Sequence, residues 1–377
     1  MNFKIAAVII SLSLILGCAS TGPVAQRFTV NAEWVQDTLA SPNHEFRKIN
    51  RMTPVIYKKS IIVGNALDGL VSYDLNSKNQ NWRILIPKGV EASGAVIRDR
   101  LFVGSNNGKM YSVDLAKGEI VWMFDTKSEI VSEPLLDEGV LYFLSGSQSL
   151  YALDAATGRQ LWTHNRQNTT NTMSIRGGSK PSIAGGILYA GFSDGALVAL
   201  NAKTGTEQWE ITLNRDTRFK DIDSTPVLDE DRIYINSYDD KLYCVSKDKG
   251  EIIWSVPFGG ASTPLVQNDK IFNTSSKGEL VALSKKDGVV IWKKKTNEGV
   301  FSDPVSFRDM IMVGESQGKL LFLNSMSGEN AGSFEPGRGI FSKPALHDDL
   351  VYFVSGEGNV YGLRAQYENK SNIYYLR

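Results

Sequence analysis

Short apolar runs separated by polar turns fill the chain from residue 28 to residue 365, and no segment sustains a 3.6-residue apolar period. Runs such as Leu101-Phe-Val-Gly104, Leu141-Tyr-Phe-Leu144 and Leu150-Tyr-Ala-Leu153 are rich in residues that suit a pleated, half-buried surface. Asn-Gly, Asp-Gly and Thr-Gly pairs stand between them, where tight antiparallel hairpins need a backbone of positive φ. The pattern predicts an all-β chain.

The runs repeat. Tryptophans at 82, 122, 162, 209, 254 and 292 are separated by 40, 40, 47, 45 and 38 residues. Five of them follow a turn residue (Gly108, Gln148, Gly195, Asp240 or Gly278) by 14 positions. A Ser-x-Pro marker precedes the turn by the same interval, as in Ser132-Glu-Pro134 and Ser224-Thr-Pro226. Thr53-Pro54 and Ser93-Gly94-Ala95 read as degenerate copies, each one residue out of phase, which makes eight units. The seventh unit is expected to replace its Trp with Phe334. Four-stranded units repeating at about 40 residues specify a propeller, because one blade cannot bury both faces of its sheet and a ring of blades can. The expected fold is an eight-bladed β-propeller of four-stranded antiparallel blades.

Counting strands predicts how the ring closes. The last unit lacks its Trp strand, and the first is preceded by Phe28-Thr-Val-Asn-Ala-Glu-Trp34, an orphan of the right composition. Trp34 is expected to do in blade eight what Trp122 does in its own blade. Closure of this kind leaves neither terminal strand with a free edge.

Composition adds a compartment. Ile5 to Leu16 form a twelve-residue apolar run behind Lys4, too short to span a bilayer and suited to a signal-peptide core. The run ends in Ile15-Leu16-Gly17-Cys18, which resembles the lipobox of bacterial lipoproteins. The resemblance implies cleavage before Cys18 and lipidation of it, and Ala19 after it implies the outer membrane. The expected organisation is a signal peptide at 1–17, a lipidated tether at 18–27, the propeller at 28–365 and a C-terminal tail at 366–377. Lys plus Arg and Asp plus Glu both number 41, so no field of one sign recruits nucleic acid. The other cysteine, Cys244, reads as a small buried side chain.

Ala152, Asp154, Thr157, Gly158 and Trp162 spell a motif that resembles the tryptophan-docking repeat of quinoprotein-type propellers. Lipobox and eight such blades together are similar to the BamB family, the propeller lipoproteins of the outer-membrane β-barrel assembly machinery. Met173-Ser-Ile-Arg176-Gly177 and Asp221-Ile-Asp223-Ser-Thr-Pro226 resemble two loops of that family. Met173 and Ile175 stand where the family carries leucine. The resemblance implies that Met173, Ile175, Arg176, Asp221 and Asp223 contact the periplasmic repeats of a BamA-like barrel-inserting subunit. It also implies contact with unfolded outer-membrane proteins.

Loop lengths point to the same residues independently. The connections Trp162–Pro181 and Trp209–Pro226 are 19 and 17 residues, against 10 to 13 elsewhere, and long loops on a rigid scaffold carry binding. Arg176 and Asp221 each lie five residues before their Pro, at equivalent positions in adjacent blades. Asp223 is expected to face the same way as Asp221. An internal ion pair of Arg176 with these aspartates is the structural alternative. Enzymatic chemistry finds little support: His44, His164 and His347 are isolated, and no phosphate loop or nucleophile elbow is present. No cofactor or metal site is expected. Other readings are a propeller lipoprotein binding a cell-wall polymer or another membrane protein, and, less well supported, a quinone-dependent dehydrogenase.

Overall fold

The computed structural model describes residues 26–40, 50–166, 179–214 and 220–369. Eight four-stranded antiparallel sheets follow one another around a ring, and the described residues contain no helix. In blade three the strands are Leu135–Asp137, Val140–Leu144, Ser149–Asp154 and Gln160–Asn165, running from the axis outward. The two middle strands are almost wholly buried, because neighbouring blades cover both of their faces. The outermost strand alternates half-buried and exposed, with Trp162 on the inward side.

Tryptophan docking joins the blades. Trp82, Trp122, Trp162, Trp209 and Trp292 each donate their indole N–H to a backbone carbonyl of the next blade at 2.9 to 3.2 Å. The ring plane lies against the glycine that ends that blade's turn, such as Gly158 beneath Trp122. A side chain there would occupy the indole's place. Trp254 departs from the pattern, since its equivalent acceptor, the Lys285 carbonyl, receives Arg232 and the Tyr234 hydroxyl.

The N-terminal strand closes the ring as expected. Gln26–Asp37 pairs antiparallel with Asn359–Asn369, and Trp34 lies opposite Gly362. Trp34 is buried with Ile61, Val63 and Tyr73 of blade one. The closing strand begins at Gln26, two residues before the expected boundary at 28, and its partner runs to Asn369, so residues 366–369 continue the last strand.

Two details of the repeat are corrected. Pro54 and Gly94 both immediately precede the first strand of their blades, as Pro134 does, so these markers are in phase, with Met52 and Ala92 in place of the serine. Phe334 does not stand in for the missing tryptophan. Register pairs Phe334 with Leu320, whereas the Trp position, opposite Phe322, holds Gly332. Phe28 of the closing strand fills that space: a Cβ on Gly332 would lie 2.7 Å from the Phe28 ring. The indole that blade seven lacks is thus replaced by an aromatic ring from blade eight.

Candidate docking site at blades four and five

The two long connections leave the outermost strands of blades three and four and return to the innermost strands of blades four and five. Their returning ends are stitched together. Ser179 Oγ donates to the Ser224 carbonyl at 2.9 Å, and Ser182 Oγ donates to the Pro226 carbonyl at 2.6 Å. The serines of the marker are therefore spent on backbone groups, as are Ser132, Ser262 and Ser342.

Asp221-Ile222-Asp223 owes its position to the residue between the aspartates. Ile222 is buried against Gly191, where an added Cβ would collide with Ile222 Cγ2, and its N–H donates to the Phe192 carbonyl at 3.2 Å. Ile130 and Ile340 lean on Gly104 and Gly314 in the same way, so this isoleucine belongs to the repeat. The flanking aspartates are what is particular to blade five.

The two aspartates differ in environment. Asp221 is fully buried, and its carbonyl accepts the Tyr238 N–H at 3.1 Å. Asp223 is half-buried on the wall of the axial cavity. Burial, reinforced by the charge of Asp221 and only partly offset by Arg51, pushes the Asp223 carboxyl up to about 8. Burial, then the field of Asp223, pushes the Tyr238 hydroxyl up to about 12. Asp223 reaches the cavity wall while Asp221 is buried beside it, so the two do not share one exposure as expected, although their charges act on one another. Met173, Ile175 and Arg176, together with Cys18, lie outside the described residues.

Sequence reasoning passed over the anchor at the start of the first long connection. Arg166 donates to both Glu210 oxygens at 2.8 and 2.9 Å and to Asp194 Oδ2 at 2.7 Å, and its guanidinium lies over the Phe192 ring. Burial opposes the Arg166 charge, but the Glu210 hydrogen bonds and the Asp194 field outweigh it and raise its pKa. The same bonds hold Glu210 below its usual range. Three charges from blades three and four thus fix where that connection begins. Its signal in the sequence was an Arg at the loop's first position, visible only once its partners were known.

The middle residues of the eight markers were also missed. They line the axial cavity as Thr53, Ser93, Glu133 and Lys180 in blades one to four, then Thr225, Thr263, Asp303 and Lys343 in blades five to eight. The order hydroxyl, hydroxyl, carboxylate, ammonium occurs twice around the ring. Three of them reach back to the preceding blade: Ser93 Oγ accepts the Thr53 N–H at 2.9 Å, Thr263 Oγ1 accepts the Thr225 N–H at 3.3 Å, and Asp303 Oδ1 accepts the Thr263 N–H at 3.1 Å.

A sequence profile described as outer membrane protein assembly factor BamB matches residues 67–294 and 225–372. The BamB of Alteromonas naphthalenivorans is 26% identical over 262 residues, which is 63% of this chain and 62% of that protein. The BamB of Yersinia pestis is 26% identical over 198 residues, 51% of this chain and 49% of that one. The chain therefore spans about half to six-tenths of the length of these relatives. The crystal structure of BamB from Moraxella catarrhalis superimposes with a TM-score of 0.76 at 18% identity, covering 89% of this chain and 100% of that one, which shows the shared fold. With the profile matched over most of its length, the chain belongs to the outer membrane protein assembly factor BamB family.

Proposed function

We propose that the protein is an assembly factor for outer-membrane proteins and acts as a non-catalytic scaffold. It is held at the periplasmic face of the outer membrane by lipid on Cys18, with residues 1–17 removed. Its docking surface is the pair of long connections entering blades four and five, and its partner is the periplasmic repeats of a BamA-like barrel-inserting subunit. Unfolded outer-membrane proteins are its second class of partner.

The observation that carries this reading is the convergence of the two long connections, stitched at Ser179–Ser224, on a chain of the BamB family. Within it, Met173, Ile175 and Arg176 make the contact. Asp221, having no exposed surface, positions the residues around it, and Asp223 presents its carboxyl beside them. A large rigid ring presenting two adjacent loops suits recognition of a protein by shape and local charge, given the chain's balanced composition.

Co-purification from detergent-solubilised envelopes tests the site. Wild type is expected to retain the barrel-inserting subunit, and Arg176→Glu, folded by circular dichroism, to lose most of it. Retention by both variants would place the contact elsewhere on the ring. Absence from both would remove the assignment of this partner. Cys18→Ser is expected to shift the protein from the membrane to the soluble fraction.

A further inference from the structure

The axial cavity, about 300 Å³ in volume, lies within the small-molecule range, with room for on the order of ten water molecules. Three of its charged groups are already matched. Lys180 forms an ion pair with Glu133, and Glu91 accepts a hydrogen bond from Asn106 Nδ2 at 3.0 Å. The four other charged residues on its wall fall on two arcs of the ring, one for each sign. Arg51 and Lys343 come from the adjacent blades one and eight, while Asp223 and Asp303 come from blades five and seven.

These opposite charges sense one another without closing. The field of Arg51 acts on Asp223 and that of Lys343 on Asp303, yet among the described residues neither couple forms an ion pair. Asp303 is instead held by the Thr263 N–H, which orients its carboxylate on the wall. Burial keeps both carboxyls above their ordinary range, so a cation arriving beside them offsets a cost the empty cavity leaves standing. A bare cation would be repelled by Arg51 and Lys343, and a bare anion would leave the two carboxyls without the cation that favours their ionised form. Among the described residues no group of His, Cys, Asp and Glu has the arrangement of a metal site.

We propose that the cavity binds a small zwitterion of the amino-acid class, its ammonium toward Asp223 and Asp303 and its carboxylate toward Arg51 and Lys343. A molecule carrying both charges a few bonds apart matches the bipolar wall and meets no like charge at either end. Thr225, Thr263 and Ser93 offer hydroxyls between the two poles. The site shares Asp223 and Thr225 with the connection entering blade five but does not require the docking proposed there, and Asp303 and Lys343, which carry its test, lie in blades seven and eight.

Titration calorimetry on the full chain in detergent tests it, with glycine and glycylglycine as probes and acetate and methylammonium as single-charge controls. At least one zwitterion is expected to bind saturably with a Kd in the millimolar range or tighter, and each control about tenfold more weakly or worse. Asp303→Asn and Lys343→Met are each expected to weaken zwitterion binding about tenfold. Lys343 is exposed, so its variant carries the test if Asp303→Asn does not fold. The proposal is overturned by an absence of saturable binding up to about 50 mM, by controls that bind as tightly as the zwitterions, or by variants that bind as wild type does.

Discussion

Asp223 shows how one side chain's surroundings set a property of the whole protein. Its folded-state pKa of about 8 lies well above that of an unfolded-chain aspartate, near 4. The folded protein therefore binds this proton more tightly. Its contribution to stability is full below about pH 4 and is lost as pH rises toward 8. Asp223→Asn cannot ionise, so its melting temperature relative to wild type is expected to climb by several degrees between about pH 5 and about pH 8. A difference that stays constant across that range would show Asp223 ionised at both ends. A second residue-scale prediction concerns Gly158, which combines a φ of +73° with a Cβ direction 2.7 Å from the Trp122 ring. Gly158→Ala is expected to cost about 2–3 kcal/mol in denaturant unfolding, from backbone strain plus displacement of the indole. Gly139→Ala isolates the first of these, since its φ is +81° but nothing lies within 4 Å of the added carbon. It should cost only about 1 kcal/mol.

Between elements, the contacts that matter are those from one blade to the next. Arg166→Met would leave Glu210 and Asp194 without their cation in a partly desolvated setting, at an expected cost of about 1–3 kcal/mol. If Glu210→Gln is added, the loss should shrink, because the stranded carboxylate is then gone. Equal losses for single and double variants would mean that Arg166 acts through its packing on Phe192 instead. The seam between blades seven and eight makes a further test. Phe28→Ala empties the space over Gly332 and is expected to destabilise by about 3–4 kcal/mol, as large-to-small changes in a core do.

At the scale of the whole molecule, ring closure couples all eight blades. Removing residues 27–40 deletes the strand that covers blade eight's outer edge and brings Trp34 to blade one. It also takes Phe28 from blade seven, so two seams open at once. The melting temperature should fall across the entire transition, and an unchanged one would mean that the ring does not need its closing strand.

Each blade's strand pattern is local, written in apolar runs and Gly turns within 40 residues, and local patterns are what a sequence displays. Eight blades, the tryptophan docking and even the closing strand are accordingly legible in the sequence. Phase was harder where a marker lost its serine, as at Met52 and Ala92, because a repeat position is recognised by residue type but occupied by geometry. The same reason explains Phe334: composition suggested an aromatic substitute within blade seven, while the space was filled by Phe28, from the opposite end of the chain. Loop length pointed to the two connections, but Arg166's anchor on blade four needed Asp194 and Glu210 in place.

By itself, then, the sequence determined the strands, their number, the repeat and the ring, because hydrophobic period and turn chemistry act between near neighbours. Only the tertiary structure decided which side chains meet across the axis. Arg51 faces Asp223 and Asp303 lies near Lys343 because a closed ring of eight brings the middles of its markers to one axis, a relation that no spacing along the chain encodes.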